Sequence, residues 1–276
     1  MKYVYSETHP RVCVVGLGEI GGAVFKEMAK RRLEMAEPFE LVGVDINPER
    51  WDAVSSKVEG EHFSHMVPDN ASIYLICVWN MDQILKVIRT IGEETNLFPL
   101  IVIESTIDIS RAAELGDLIQ EQQLEVVVFP HRWNPNDPDH GVLNQDRVMG
   151  GEPEAVARAM QFYAPFLQNA TIHPTDFWTA ALCKVAENAY RFLEIAAAQE
   201  LKGLAASNGV NFEQLRQLMN TKWNIDVREA REGVGGKCLP KDMAIFNATF
   251  PQNCIFKMAE MQNENYKNSS FASTSA

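Results

Sequence analysis

Short apolar runs of strand length alternate with segments of helical period over the first two thirds of the chain. Val12–Val15, Leu41–Val44, Ile73–Val78, Leu100–Ile103 and Glu125–Phe129 predict buried strands. Between them the pattern predicts helices over Ala23–Arg31, Met81–Ile91 and Ser110–Gln122. The runs are too uniformly apolar to have one wet face, so helices must cover both sides of a parallel sheet. After Thr175 the strand signal stops. Phe177–Ser207 predicts one helix of about eight turns, with no Pro and a single Gly at Gly203. Much of its circumference is apolar or small, which implies burial on several sides. Shorter helices are predicted at Asn211–Met219, Lys241–Ala248 and Ile255–Glu264, and Lys267–Ala276 reads as a polar, disordered tail.

The first strand leads straight into Gly16-Leu17-Gly18-Glu19-Ile20-Gly21. That spacing suits a dinucleotide: Gly16 for a tight turn, Gly18 for close approach of the pyrophosphate, Gly21 for packing of helix on strand. The phosphates would sit on the helix N-terminus. Asp45 ends the second strand where an acid meets the adenosine ribose, and its charge would repel a 2′-phosphate. NAD is therefore expected rather than NADP. The fold class that follows is α/β: an N-terminal Rossmann-type doubly wound parallel sheet, then an all-α domain built on one long helix. The expected divisions are an NAD-binding domain at 10–175, a helical dimerisation and substrate domain at 176–266, and a tail at 267–276. Ligands of such sheets gather at the carboxyl ends of the strands. Candidates for cofactor contact are thus Glu19, Ile20, Val78, Trp79 and Ser105, beside Gly16, Gly18, Gly21 and Asp45. Arg132, Trp133 and Asn134, after the fifth strand, are candidates for substrate.

A second glycine cluster, Gly233-Val234-Gly235-Gly236-Lys237-Cys238-Leu239-Pro240-Lys241-Asp242, ends in one cysteine and a proline suited to a first helical turn. A cysteine at a helix N-terminus feels the positive end of the helix dipole, which favours thiolate. Asp242 falls one turn further on the same face. Lys184 and Asn188 are likewise one turn apart on the long helix and could donate to a developing oxyanion. The plainer readings are a glycine turn with a small apolar Cys and an ordinary solvated Lys/Asn face.

The 276 residues and 46% hydrophobic content suffice for a large core. A net charge of −12 argues against nucleic acid as a partner. No run is long enough to span a membrane, and Met1–Pro10 does not resemble a leader. Five scattered cysteines without CxxC spacing suit a reducing compartment, so the expectation is a cytoplasmic protein. Cys13, Cys77 and Cys183 read as small core residues. His62 and His65 lack a third partner, so no metal is expected. The long apolar helix suggests a homodimer acting on a small-molecule substrate.

Lys184-Val185-Ala186-Glu187-Asn188-Ala189-Tyr190-Arg191, followed by the Gly233–Asp242 stretch, resembles the UDP-glucose/GDP-mannose dehydrogenase family. Glu104-Ser105-Thr106 and Arg147-Val148-Met149-Gly150-Gly151 fall where that family has similar motifs. The resemblance implies oxidation of a sugar-nucleotide primary alcohol to a carboxylate with two NAD per turnover. Cys238 would form a thiohemiacetal and then a thioester, with Lys184 and Asn188 on the oxyanions. Asp242 would position water with Thr106 nearby, and Gly235 and Gly236 would leave room for the sugar. The chain departs from the pattern at several points. It stops where the family normally continues into a further nucleotide-binding domain. His131 stands where the family has a Glu, and is a candidate base. Trp79 replaces a Pro, Ile107-Asp108-Ile109 replaces a Pro/Gly-rich turn after Thr106, and Glu232 precedes the glycine cluster. Two other readings therefore stay open: a two-electron β-hydroxyacid-type dehydrogenase, and a non-catalytic dinucleotide-binding relative.

Overall fold

In this computed structural model the described residues are 10–35, 39–55, 62–95, 98–137 and 139–269. The expectation that Met1–Pro10 is not a leader and most of the expected tail fall on 1–9 and 270–276, outside the described residues. The elements in chain order begin with β1 (Arg11–Val15), α1 (Glu19–Arg32), β2 (Glu40–Val44), α2 (Pro48–Ser55) and β3 (His62–Ser64). Then come β4 (Ile73–Ile76), α3 (Met81–Glu94), β5 (Leu100–Ile103), α4 (Ala112–Glu121) and β6 (Glu125–Val128). The sheet is completed by β7 (Arg147–Gly151), α5 (Pro153–Tyr163) and β8 (Ile172–Thr175). Helices α6 (Phe177–Ser207), α7 (Phe212–Met219), α8 (Cys238–Thr249) and α9 (Ile255–Lys267) follow.

The eight strands form one sheet in the order β3-β2-β1-β4-β5-β6-β7-β8. All neighbours are parallel except β6 and β7. Alternate residues of each strand feed opposite cores, which explains the uninterrupted apolar runs. Val12, Val14, Leu75 and Val102 pack with α1 and α5, on Phe25, Met28, Ala155 and Ala159. Cys13, Val15, Ile76 and Ile103 pack with α3 and α4, on Ile84, Ile88 and Leu115, and with Ala180 and Ala181 at the start of α6. Cys13 is fully buried, in keeping with its reading as a core residue. The sequence order reverses at β1, between β2 and β4, where an open α/β sheet leaves its ligand crevice.

Helix α1 starts at Glu19, earlier than its apolar period suggests, because Gly22 N–H already bonds Gly18 O at 2.8 Å. Elements α2, β3, β7 and β8 are short or polar and carry no clear periodic signal. β7 opens on a charged residue and ends in two glycines, and β8 contains Pro174, which an edge strand accommodates. Asn80 and Asn211 mark helix starts where the sequence puts them: their Oδ1 atoms accept the Gln83 and Gln214 N–H groups.

The chain divides into two compact units between Leu182 and Cys183, inside α6. The first residues of that helix belong to the sheet's core, so the division falls later than 175/176. In the second unit, Ala189, Phe192, Ile195, Val234, Met243 and Ala259 form one apolar cluster. Ala198, Ala205, Phe212, Ala230 and Tyr266 form another. Among the described residues no helix is long and apolar enough to cross a membrane, and no group of His, Cys, Asp and Glu could hold a metal ion.

Candidate active site

The glycine turn of the sheet unit is built as its spacing requires. Gly16 adopts φ +90° and donates its N–H to Val44 O at 2.7 Å. A Cβ on Gly21 would lie 1.8 Å from Gly16 O, so only hydrogen fits between helix and turn. A Cβ on Gly18 would meet nothing within 4 Å, which leaves open space in front of the helix start. No side chain caps α1, so its first N–H groups face that space unspent. Asp45 follows β2, and its carboxylate accepts the Leu17 N–H at 2.8 Å and the Asn47 N–H at 2.9 Å. It therefore fixes the glycine turn as well as presenting charge beside it. These residues fit a dinucleotide. Gly21→Ala will force the turn away from α1 at a cost of about 1–3 kcal/mol, and calorimetry should find NAD affinity reduced with it. Unchanged affinity in G21A would refute this use of the turn.

Glu19 is exposed and Ile20 half-buried in the first turn of α1. The Ser105 hydroxyl donates to Val78 O at 2.7 Å, tying the ends of β5 and β4 together. Trp79 is 55% exposed, and its N–H bonds Gln83 Oε1 at 2.9 Å. Thr106 is half-buried beside these residues in sequence. Arg132 is exposed and donates to Asp146 O at 2.8 Å. Trp133 packs against the sheet core, while exposed Asn134 accepts the Asn136 N–H through Oδ1.

His131 does not sit on an open loop with them. It is buried, and its Nε2 lies 2.6 Å from Glu104 Oε2. Glu104 is the centre of a polar network inside the strand ends. Its Oε1 accepts Tyr163 OH at 2.5 Å and lies 3.4 Å from Arg147 Nη2. The Cys77 thiol reaches its Oε2 at 3.5 Å. Arg147 Cζ lies over the Phe129 ring, 3.5 Å from its centroid, and the guanidinium also donates to Phe129 O and Pro130 O. Burial by itself would raise the Glu104 pKa; His131 and Arg147, with the hydrogen bonds from His131 and Tyr163, outweigh it and hold the carboxyl down to about 2. Burial and the Glu104 charge push the Tyr163 hydroxyl and the Cys77 thiol well up. The sequence offered His131 as a base open to substrate; the structure gives it a buried carboxylate partner instead.

The second unit gathers the other candidates. Cys238 is the first residue of α8 and is exposed. The loop before it turns through Gly233 at φ +111° and Gly236 at φ +77°, the left-handed region that favours glycine. Gly235 and Gly236 are exposed, and a Cβ on either would meet nothing within 4 Å. Asn188 Nδ2 donates to Asp242 Oδ2 at 2.5 Å, so the long helix and α8 meet through these side chains. Asp242 is fully buried, with its Oδ1 2.9 Å from Lys241 Nζ. Burial lowers the Lys184 pKa, while Asp242, Glu187 and Cys238 pull it back upward. Lys184 and Asn188 are half-buried, with Asn188 paired to Asp242, so neither lies on a freely solvated face. Four residues separated in sequence share one locality, whereas Thr106 and His131 belong to the other unit.

Asn263 and Gln199 were not singled out by the sequence. Both are buried, and Asn263 bonds both the backbone N–H and the backbone C=O of Val234 in the glycine loop. The available signal was an Asn on the apolar stripe of α9, in step with Ala259 and Tyr266.

Residues 178–265 match the central domain of the UDP-glucose/GDP-mannose dehydrogenase family. UDP-N-acetyl-D-mannosamine dehydrogenase of Methanocaldococcus jannaschii is 28% identical over 84% of this chain, which spans 60% of that protein's length. The structure of UDP-D-ManNAc dehydrogenase from Pyrococcus horikoshii superposes with a TM-score of 0.77 at 26% identity, over 93% of this chain and 68% of that one. The 3-hydroxyisobutyrate dehydrogenase of Mycobacterium tuberculosis shares the fold, with a TM-score of 0.73 at 14% identity, over 96% of this chain and 97% of that one. The Lys184–Asn188 and Cys238–Asp242 motifs both lie inside the matched segment, so residues 178–265 are similar to the central domain of the UDP-glucose/GDP-mannose dehydrogenase family.

Proposed function

We propose that this chain carries out the NAD-dependent oxidation of a primary alcohol on a UDP-linked amino sugar to a carboxylate, through a thioester on Cys238. The balance is RCH2OH + 2 NAD+ + H2O giving RCOO−, 2 NADH and 3 H+. The observation that carries the reading is the convergence of Lys184, Asn188 and Asp242 with an exposed helix-start cysteine. The names of the M. jannaschii and P. horikoshii relatives support the sugar class.

NAD, held by Gly16, Gly18, Gly21 and Asp45, would accept the hydride in each oxidation. The remaining chemistry belongs to the protein. Cys238 Sγ, as thiolate, adds to the carbonyl carbon of the first-formed aldehyde, making a C–S bond and an oxyanion. Loss of the second hydride restores the C=O as a thioester. Water then adds, the C–S bond breaks, and the electron pair returns to sulfur. Lys184, depressed by burial, can hold a proton against an oxyanion and release it at modest cost. Asn188 keeps one amide hydrogen on Asp242 and has a second to offer the same oxyanion. Buried Asp242 holds Asn188 in that orientation.

The test is product stoichiometry. Purified protein is incubated with NAD and a panel of UDP-hexoses and UDP-N-acetylhexosamines, following NADH by absorbance and product by mass spectrometry. Two NADH per acid is expected. One NADH with an aldehyde or ketone would move the chain to two-electron chemistry, and no turnover anywhere on the panel would remove the substrate class.

A further inference from the structure

We propose that Asn263, backed by Gln199, is a positioning residue for Cys238; the inference rests on the reading of Cys238 as the nucleophile. Val234 lies within the glycine loop, upstream of Cys238, and is fully buried. Its N–H donates to Asn263 Oδ1 at 2.6 Å, and its C=O accepts from Asn263 Nδ2 at 3.4 Å. One amide side chain thus pairs with both backbone polar groups of Val234, as a neighbouring strand would. The loop's turns pass through left-handed glycines that impose no conformation by themselves. Asn263 is 2% exposed and sits on α9, so the grip fixes the loop to a rigid element.

Gln199, wholly buried on α6, donates its Nε2 to the same Asn263 Oδ1 at 3.1 Å. No described protein group donates to Gln199 Oε1. A polar side chain buried at that cost is not placed for packing, because an apolar residue of the same shape would stabilise the helix pair better. Its effect is to lock the Asn263 amide so that the oxygen faces Val234 N–H and the nitrogen faces Val234 O. Tyr266, one turn on from Asn263, bonds Arg231 O at 3.0 Å, so α9 also holds the entry to the loop. Helix α9 therefore sets where the loop delivers the first turn of α8 and the sulfur it carries.

The test uses the full chain with Asn263→Leu and Gln199→Met. Leucine keeps the branched shape but leaves the Val234 N–H and C=O unpaired; methionine leaves Asn263 in place and removes only its support. Expected for N263L is a fall in kcat for acid formation on the order of 10²-fold, as for a nucleophile misplaced by about 1 Å, with the KM for NAD unchanged. Expected for Q199M is a smaller fall in the same direction. Alkylation by iodoacetamide, read at Cys238 against Cys254 in the same molecule, should change in ratio, because only Cys238 hangs on the loop. In the unaltered chain the Val234 amide should exchange with deuterium more slowly than those of Gly235 and Gly236. Equal exchange at the three amides, or a folded variant with kcat and alkylation ratio unchanged, overturns the proposal. If N263L does not fold, Q199M and the exchange measurement decide. Failure of the underlying reading looks different: Cys238→Ala would then keep making acid.

Discussion

Cys238→Ala will end acid formation, by at least about 10³-fold, since a nucleophile that forms the covalent intermediate has no substitute. The dinucleotide turn lies in the other unit, so NAD should bind C238A with unchanged affinity. Measuring both separates loss of chemistry from loss of fold. Any residual oxidation should stop at the aldehyde level with one NADH, because without sulfur there is no thiohemiacetal to give up the second hydride. Cys238→Ser should fare little better, as a hydroxyl at neutral pH is far less ionised than a thiol. Lys184→Met and Asn188→Leu should fall less far, each removing one donor to the oxyanion at a cost of about 10²–10³-fold. If C238A forms acid at the parent rate with two NADH, the thioester route is wrong and a two-electron or water-first route must replace it.

Arg147→Met will destabilise the sheet unit by about 3–5 kcal/mol, the range for stranding one partner of a buried ion pair. In a unit of this size that is a fall in Tm of about 10 °C. Arg147 is 1% exposed and faces Glu104 at 0%, so no water can take its place. The same network fixes the acid limit of stability. Glu104 moves from its ordinary value of 4.5 in the unfolded chain to about 2 in the fold. A depressed carboxylate contributes its stability above the unfolded value and loses it as pH falls toward the folded one. The contribution, about 3 kcal/mol, should therefore be complete near neutrality and drain away between roughly pH 5 and pH 2. Glu104→Gln should remove most of that acid slope while lowering stability at pH 7. Denaturant titrations at pH 7, 4 and 3 measure both effects. An R147M Tm within a degree or two of the parent, or an E104Q slope identical to the parent's, would show that the network is solvated and worth little.

Much of the fold follows from the chain's own periodicity. Five apolar runs gave the core strands of the sheet, and Phe177–Ser207 gave the long helix with both ends correct. Those signals are local: a strand buried on both faces must be apolar throughout, and a helix of about eight turns without proline has few alternatives. The glycine fingerprint also determined its own geometry, because φ +90° at Gly16 and a contact of 1.8 Å at Gly21 exclude any other residue. The Lys184–Asn188 and Cys238–Asp242 spacings likewise put each pair on one helical face before any tertiary contact was known.

Tertiary structure alone decided the rest. The antiparallel turn of β7 beside β6 and the edge strand β8 are held by pairing and not by pattern, since Arg147, Gly150, Gly151 and Pro174 carry no strand signal. His131 reads as a catalytic base in a polar loop. Its buried bond to Glu104, a residue one strand away, depends on sheet order and has no trace in spacing. The grip of Asn263 on Val234 is invisible for the same reason. A hydrogen bond between an α9 side chain and a loop peptide 29 residues earlier is fixed by how helices pack, and the sequence around either residue contains no record of the other. Local physics specified what each segment becomes; burial of polar groups against distant partners specified which of them could do chemistry.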